Sequence, residues 1–332
     1  MAEPLTLLLA GRMSEPREEW MREHLSSEWN MLTWTEDEPF ERFVELVPQA
    51  HAIVGGRIKG DWPPVPNLKL YQIPFTGYDW IGPSDVPEGC MVCNAYGHEI
   101  AIAEYVLGGL LEWEIGLRAY DRRFREFGWE ERVPGIGPSH GELHGKTLGI
   151  VGYGHIGVEI AHRARAFGLK VIAVNRTRRP TPAELDWLGT LDELDRLLGE
   201  SDYVVVALPL ADETRGLIDA ERLAAMKPDG VIVNVGRGHV IEEEALYTAL
   251  AERRIGGAIV DVWYGYATPE NPDRGPSEFP FQNLDNIIMT PHTSSRTAPS
   301  RERRWLTVAS NLDRLARGEA LENICFEGIA RC

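Results

Sequence analysis

The chain has 332 residues and a mass of 37.2 kDa, room for two domains at roughly 100–200 residues each. Hydrophobic residues at 43% and charged residues at 26% exclude a disordered chain, which has too little apolar surface to offset its ordering entropy. The 34 Lys and Arg against 51 Asp and Glu leave a formal net charge of -17, which repels polyphosphate and argues against nucleic acid or an anionic membrane as partner.

Leu5–Ala10 is an apolar run closed by Gly11. It is far shorter than the roughly 18 apolar residues of a membrane span and lacks a basic start. It reads as a first β-strand rather than a secretory signal, so a cytoplasmic protein is expected. Glu15–Ser26 is charged and carries Trp20, Met21 and Leu25 near helical spacing. Ala50–Val54, ending at Gly55-Gly56, then Leu68–Ile73 and Met91–Asn94 read as further strands. Strands alternating with helices predict a parallel sheet covered on both faces. Cys90 and Cys93 form a lone C-x-x-C without the second pair that a zinc site needs. Buried reduced thiols are expected there, and no metal.

From about His98 a helical pattern begins, with Ile100, Ala103, Val106, Leu107, Leu110, Leu111 and Ile115 at three- and four-residue spacing. So wide a stripe predicts a helix packed between domains or against a second subunit, hence a homodimer. Gly128–Gly145 is polar and reads as a connection. Beyond it Lys146–Val151, Lys170–Val174, Tyr203–Ala207, Val231–Val235 and Gly257–Val260 read as strands. They alternate with helical stretches after Gly154, at Leu191–Leu198 (stopped by Gly199), at Ala220–Met226 and at Glu242–Arg253. Repeated βα units are the pattern of a doubly wound sheet.

Gly152-Tyr153-Gly154-His155-Ile156-Gly157 follows the first of these later strands and opens a helix, the context in which G-x-G-x-x-G marks a dinucleotide site. Gly152 permits the tight turn, Gly154 the approach of backbone to pyrophosphate, and Gly157 close helix–strand packing. N–H groups at the helix start, those of His155 and Ile156 among them, face the anion. An NAD site places a carboxylate about 20 residues further on. Here that region reads Asn175-Arg176-Thr177-Arg178-Arg179. Guanidinium groups bind the 2′-phosphate that a carboxylate would repel. NADP is therefore expected, with Asn175, Arg176 and Thr177 at the ribose; the alternative is a solvated basic turn in an NAD enzyme.

Val233-Asn234-Val235-Gly236-Arg237-Gly238, Val260-Asp261-Val262-Trp263 and Thr290-Pro291-His292-Thr293-Ser294 resemble the signatures of the D-isomer-specific 2-hydroxyacid dehydrogenases. Phe75-Thr76-Gly77-Tyr78-Asp79 is similar to that family's substrate loop, Ala103-Glu104 to its domain-crossing helix, and Leu208-Pro209-Leu210 with Thr214 to its adenosine contact. The resemblance implies an α/β protein of two doubly wound parallel-sheet domains. A Rossmann cofactor domain at 100–295 would be inserted into a flavodoxin-like substrate domain made of 1–99 and 296–332. It also implies hydride transfer between NADP(H) and a small 2-oxo or 2-hydroxy acid of D configuration. By motif, Arg237 would grip the substrate carboxylate and polarise the carbonyl, and His292 would protonate the nascent alkoxide. Backbone N–H groups at Thr76 and Gly77 would hold the carboxylate from the other domain, with Tyr96 and His98 near the substrate. Val235 and Gly236 fall on the cofactor side, and Asp261 would orient the nicotinamide carboxamide or the arginine.

One position departs from the family. The glutamate that usually partners the catalytic histidine falls five residues after the aspartate of the D-V motif, and here Tyr266 stands there. A phenol carries no negative charge at neutral pH, so His292 is expected to titrate at or below the ordinary histidine range unless Glu270 substitutes. Relatives of the formate dehydrogenase branch have an amide at this position and need no proton transfer. Two other functions stay open: a formate- or phosphite-like NAD(P)-dependent oxidoreductase, and a cofactor-sensing binding protein of the same fold. The aromatics Trp62, Tyr78, Tyr96, Trp263 and Tyr266 point to a substrate bulkier or flatter than glyoxylate.

Overall fold

A computed structural model describes residues 3–58, 60–129, 139–268 and 271–329. The chain folds as two compact units, Met1–His98 with Thr297–Cys332, and Glu99–Arg296. In chain order the elements are β1 (Leu5–Ala10), α1 (Glu18–His24), β2 (Trp29–Trp34), α2 (Phe40–Leu46), β3 (Ala52–Gly55), β4 (Leu70–Gln72), β5 (Met91–Cys93), α3 (Glu99–Ile115), α4 (Leu117–Phe127), β6 (Thr147–Val151) and α5 (His155–Ala166). They continue with β7 (Lys170–Asn175), β8 (Trp187–Thr190), α6 (Leu194–Glu200), β9 (Tyr203–Val206), α7 (Ala220–Ala224), β10 (Val231–Asn234), α8 (Glu243–Ala251), β11 (Gly257–Val260), β12 (Ile287–Met289), α9 (Ala298–Arg317) and β13 (Ile324–Glu327).

The first unit is built on the sheet β13-β5-β4-β3-β1-β2. Its strands run parallel except β13, which lies antiparallel on β5. The order β2-β1-β3-β4-β5 is that of flavodoxin-like sheets. β1 is apolar without alternation because both its faces are covered. Leu8 packs with Trp34, Phe43 and Tyr71 on one side, and Leu7 and Leu9 with Met21, Trp305 and Leu312 on the other. α9, from the far end of the chain, supplies part of that second layer. Cys90 and Cys93 are buried, and burial pushes both thiols up to about 12; Cys332 lies outside the described residues.

The second unit is built on the all-parallel sheet β12-β11-β10-β9-β6-β7-β8, the Rossmann order with one further strand. Strand order reverses between β6 and β9. Ile102, Ala103, Val106, Leu107 and Leu110 of α3 share a core with Ile160, Ala161 and Ala164 of α5 and Ile259 of β11. The middle of the apolar stripe is thus covered within its own unit, with Ile100, Leu111 and Ile115 half-buried, so its burial calls for no second subunit. α6 also differs from expectation: it runs through Gly199 to Glu200 and ends where Ser201 turns extended. Gly199 needs no positive φ there, unlike Gly168, whose φ of +77° ends the turn after α5. No helix among the described residues is long and apolar enough to cross a membrane, and none of their His, Cys, Asp and Glu side chains group as a metal site.

Candidate active site

Parallel strands end on one edge, and the register of the second sheet aligns those ends. Val151 pairs with Val174 and Val206, Val206 with Asn234, Asn234 with Val260, and Val260 with Met289. The next residues along these lines are Gly152, Asn175, Ala207, Val235, Asp261 and Thr290. Candidate residues far apart in sequence therefore share one edge. The reversal between β6 and β9 opens the crevice where such sheets bind ligands.

At the end of β6, Gly152 takes a φ of +102°, and a Cβ there would lie 2.8 Å from Leu208 Cδ2, so only glycine fits. A Cβ on Gly157 would lie 2.8 Å from the Gly152 carbonyl oxygen; this glycine lets α5 sit close to β6. Around Gly154 a Cβ would meet nothing within 4 Å. This middle glycine faces open space at the N-cap of α5. Two glycines fixed by protein contacts and one facing space fit a bound pyrophosphate.

The arginine run after β7 divides by partner. Arg178 pairs with Glu193 at 2.9 Å. Arg179 donates to the Tyr153 carbonyl, with its guanidinium 5.5 Å from the Tyr153 ring centroid. The Tyr153 hydroxyl donates to Glu184 at 2.5 Å, and Asn175 Nδ2 reaches the Tyr153 carbonyl at 3.4 Å. Arg176 and Thr177 are exposed, and the Arg176 guanidinium has no hydrogen bond or ion pair among the described residues. Of the three it is the arginine whose whole guanidinium is open to a ligand. Nothing in a run of arginines tells which one folds back onto the glycine turn.

Thr214 is buried, and its hydroxyl donates to the Pro209 carbonyl at 2.7 Å while accepting the Ala211 N–H at 2.8 Å. It closes the turn that carries Leu208 and Pro209. A Cβ on Gly236 would lie 2.5 Å from the Leu208 carbonyl oxygen, so the loops after β9 and β10 touch backbone to backbone. Buried Asn234 donates to the Arg237 carbonyl and accepts the Gly236 N–H, both at 3.1 Å. Asn234 thereby holds the turn that presents Arg237, which is half-buried.

His292 has a φ of +53°, a conformation that costs a non-glycine residue about 1–3 kcal/mol. Asp261 holds it there. Its carbonyl accepts the His292 N–H at 2.9 Å. Its fully buried carboxylate accepts from Thr290 Oγ1 at 2.5 Å, the Thr293 N–H at 2.8 Å and the Ser294 N–H at 2.9 Å. The Asp261 carboxylate thus grips the chain on both sides of the histidine.

Tyr266 lies beside His292, with ring centroids 5.6 Å apart. Although His292 as a residue is exposed, partial desolvation of its imidazole is the largest influence and lowers its pKa. Asp261 opposes that shift, while Arg237 and Arg296 reinforce it. Desolvation raises the Tyr266 phenol, which stays neutral. Glu270 lies outside the described residues.

In the first unit, Gln72 and Cys93 are register partners at the ends of β4 and β5, which brings the two following loops side by side. Buried Gln72 is turned to the carbonyls of Ile73, Cys93 and Asn94 at 3.1, 3.3 and 3.1 Å, and accepts from Asn311 at 2.8 Å. Asn94 donates to the Thr76 carbonyl at 2.8 Å. The Thr76 hydroxyl donates to the Ala95 carbonyl at 2.9 Å and lies 3.2 Å from His98 Nε2. Gly77, whose carbonyl accepts from Trp80 at 3.3 Å, and Tyr96 stand on the same two loops. The amides Gln72, Asn94 and Asn311 escaped sequence reasoning; polar residues closing apolar runs were the only signal.

Residues 107–294 match the family model for D-isomer specific 2-hydroxyacid dehydrogenase, NAD binding domain. Glyoxylate reductase of Pyrococcus furiosus is 33% identical over 317 residues, which cover 89% of this chain and 88% of that protein. D-3-phosphoglycerate dehydrogenase of Methanocaldococcus jannaschii is 34% identical over 261 residues, 78% of this chain and 47% of that one. A solved D-isomer specific 2-hydroxyacid dehydrogenase family protein from Aeromonas salmonicida matches with a TM-score of 0.77 at 27% identity, covering 98% of this chain and 99% of that chain.

Proposed function

The chain belongs to the D-isomer specific 2-hydroxyacid dehydrogenase family and is an NAD(P)-dependent 2-hydroxyacid dehydrogenase, and within that chemistry we propose that it reduces a 2-oxo acid to the D-2-hydroxy acid with NADPH as preferred donor. One arrangement supports the reading: the glycine turn, Arg237 and His292 stand at the ends of parallel strands of one sheet. When bound, a dihydronicotinamide supplies hydride to the carbonyl carbon. Arg237 holds the substrate carboxylate with its planar fork and draws charge onto the carbonyl oxygen. Protonated His292 gives its proton to that oxygen; in the oxidative direction the neutral imidazole takes it back. Asn175, Arg176 and Thr177 face the 2′-phosphate, with Leu208 and Pro209 on the adenosine side and Val235 and Gly236 toward the nicotinamide. Recognition of the 2-oxo acid in the first unit is assigned to Thr76, Gly77, Tyr96 and His98.

A spectrophotometric assay of NADPH and NADH against a panel of 2-oxo acids, formate and phosphite, with chiral analysis of the product, tests this. The expected result is a D-hydroxy acid formed with NADPH. Oxidation of formate or phosphite would favour the small-anion oxidoreductase, and tight NADPH binding without turnover would favour a cofactor sensor.

A homodimer is the second part of the reading, and α4 rather than α3 supports it. Leu117, Tyr120, Phe124 and Phe127 recur on α4 at helical spacing, and these with Trp129 are 43–65% exposed. Covering about half of each large side chain's roughly 150–250 Å² on both copies hides on the order of 1,000 Å², near the lower bound of a specific interface. Sedimentation equilibrium at micromolar concentration is expected to give a dimer, and Phe124→Glu a monomer. A monomeric native protein would overturn it.

A further inference from the structure

Asp261 does not end the chain of contacts behind His292. Its Oδ1 accepts from Thr290 Oγ1 at 2.5 Å, and Thr290 Oγ1 lies 2.7 Å from the Tyr105 hydroxyl. A carboxylate only accepts, and a threonine hydroxyl has one proton. That proton goes to Asp261, so Tyr105 must be the donor to Thr290. The direction of donation is fixed: Tyr105 to Thr290 to Asp261, whose carboxylate also accepts the N–H groups of Thr293 and Ser294 just after His292, and whose carbonyl accepts the N–H of His292 itself. Burial pushes the Tyr105 phenol up to about 12, so it keeps this proton at any pH at which the enzyme works. The rest of Thr290 is held as firmly. Its N–H donates to the Val260 carbonyl at 3.0 Å, and its carbonyl accepts from Trp263 Nε1 at 2.8 Å.

Tyr105 sits on α3 between buried Ile102 and Val106, packed against the core shared with α5 and β11. A helix fixed by that core is a rigid anchor for the hydroxyl, and through Thr290 it steadies the Asp261 carboxylate that holds the turn around the strained His292. We propose that Tyr105 is a positioning residue for His292, acting through Thr290 and Asp261, an assignment that rests on His292 being the proton donor. A residue acting this way changes the rate of proton delivery without touching substrate or cofactor. A tyrosine that merely packed α3 would change stability alone.

The test is a double-mutant cycle on the full-length enzyme, using NADPH and the 2-oxo acid with the highest kcat/KM. Tyr105→Phe is expected to lower kcat by about three- to tenfold, the range for one lost neutral hydrogen bond. KM for the 2-oxo acid and Kd for NADPH should stay within about twofold, because no binding contact is removed. Thr290→Val should do more damage, and Thr290→Ser, which keeps the hydroxyl, should recover most of the native kcat. The double variant Tyr105→Phe with Thr290→Val should be no slower than Thr290→Val alone, since both cut one chain. The ring resonances of His292 should shift in Tyr105→Phe even without substrate. A native kcat in Tyr105→Phe, an additive double variant, or Thr290→Ser as slow as Thr290→Val would each overturn the assignment while His292→Ala remains impaired. Full activity of His292→Ala would instead overturn the role of His292 itself.

Discussion

The Tyr266 ring stands 5.6 Å from the His292 imidazole, tilted by 52°, and its hydroxyl accepts the Trp263 N–H at 3.1 Å. The phenol therefore flanks the histidine with its ring and directs its oxygen to its own loop. A group that desolvates the imidazole without offering negative charge destabilises imidazolium, in keeping with the lowered pKa of His292.

A pH dependence follows. With His292 as the proposed proton donor, reduction needs the imidazolium, so its rate is expected to be full below the histidine pKa and lost as pH rises through it. With that pKa lowered, reductive kcat/KM is expected to begin falling below about pH 6.5, the ordinary histidine value. Tyr266→Glu adds a carboxylate and should move this limb upward. Oxidation needs the neutral imidazole, so the native enzyme should keep oxidising at lower pH than the variant. pH–rate profiles of both enzymes with one substrate check this; coincident limbs with a changed KM would make Tyr266 a pocket residue only.

Arg237→Lys keeps the charge and loses the fork. Because an ammonium cannot make the bidentate carboxylate contact, kcat/KM is expected to fall roughly hundredfold or more. Steady-state kinetics with the preferred 2-oxo acid reads this directly, and a near-native value would remove Arg237 from the reaction.

The three arginines should separate by cofactor. Arg176→Ala is expected to weaken NADPH binding by about 1.5–3 kcal/mol and leave NADH unchanged. Arg179→Ala should weaken both alike, because Arg179 bonds the glycine turn at Tyr153. Arg178→Ala should change little, its charge being neutralised by Glu193. Fluorescence titration with each cofactor measures all three; equal losses of both cofactors in Arg176→Ala would contradict the assignment.

Asp261→Ala leaves the Thr293 and Ser294 N–H groups without their acceptor and frees a strained histidine. A stability loss of about 2–4 kcal/mol is expected from denaturant unfolding, together with loss of reduction. An unchanged unfolding midpoint would mean that the turn holds His292 without Asp261.

Central strands were legible because burial on both faces writes itself as an unbroken apolar run, as in Leu7-Leu8-Leu9 of β1 or Val204-Val205-Val206 of β9. Edge strands were not. β8 and β13 end the two sheets and are only partly buried, so neither carries such a run. The stripe on α3 was legible as burial but not as what does the burying, and the partner proved to be α5. In the site, the glycines, Arg237 and His292 carry motifs. The link from Tyr105 to Thr290 depends on how α3 packs against α5 and β11, and no spacing along the chain encodes it. Asp261 was legible by identity alone, because the donors that a carboxylate accepts from are set only once the turn around it is folded.

His292 is the proton donor of the proposed reaction, and single-turnover reduction by NADPH in native and His292→Ala enzymes across pH tests that role most directly. The native rate should fall as pH rises through the histidine pKa, whereas the variant should be slower by about 10²–10⁴ and flat over the same range, with NADPH bound as tightly as before. A variant that reduces the 2-oxo acid at the native rate, or keeps the native pH limb, would contradict it.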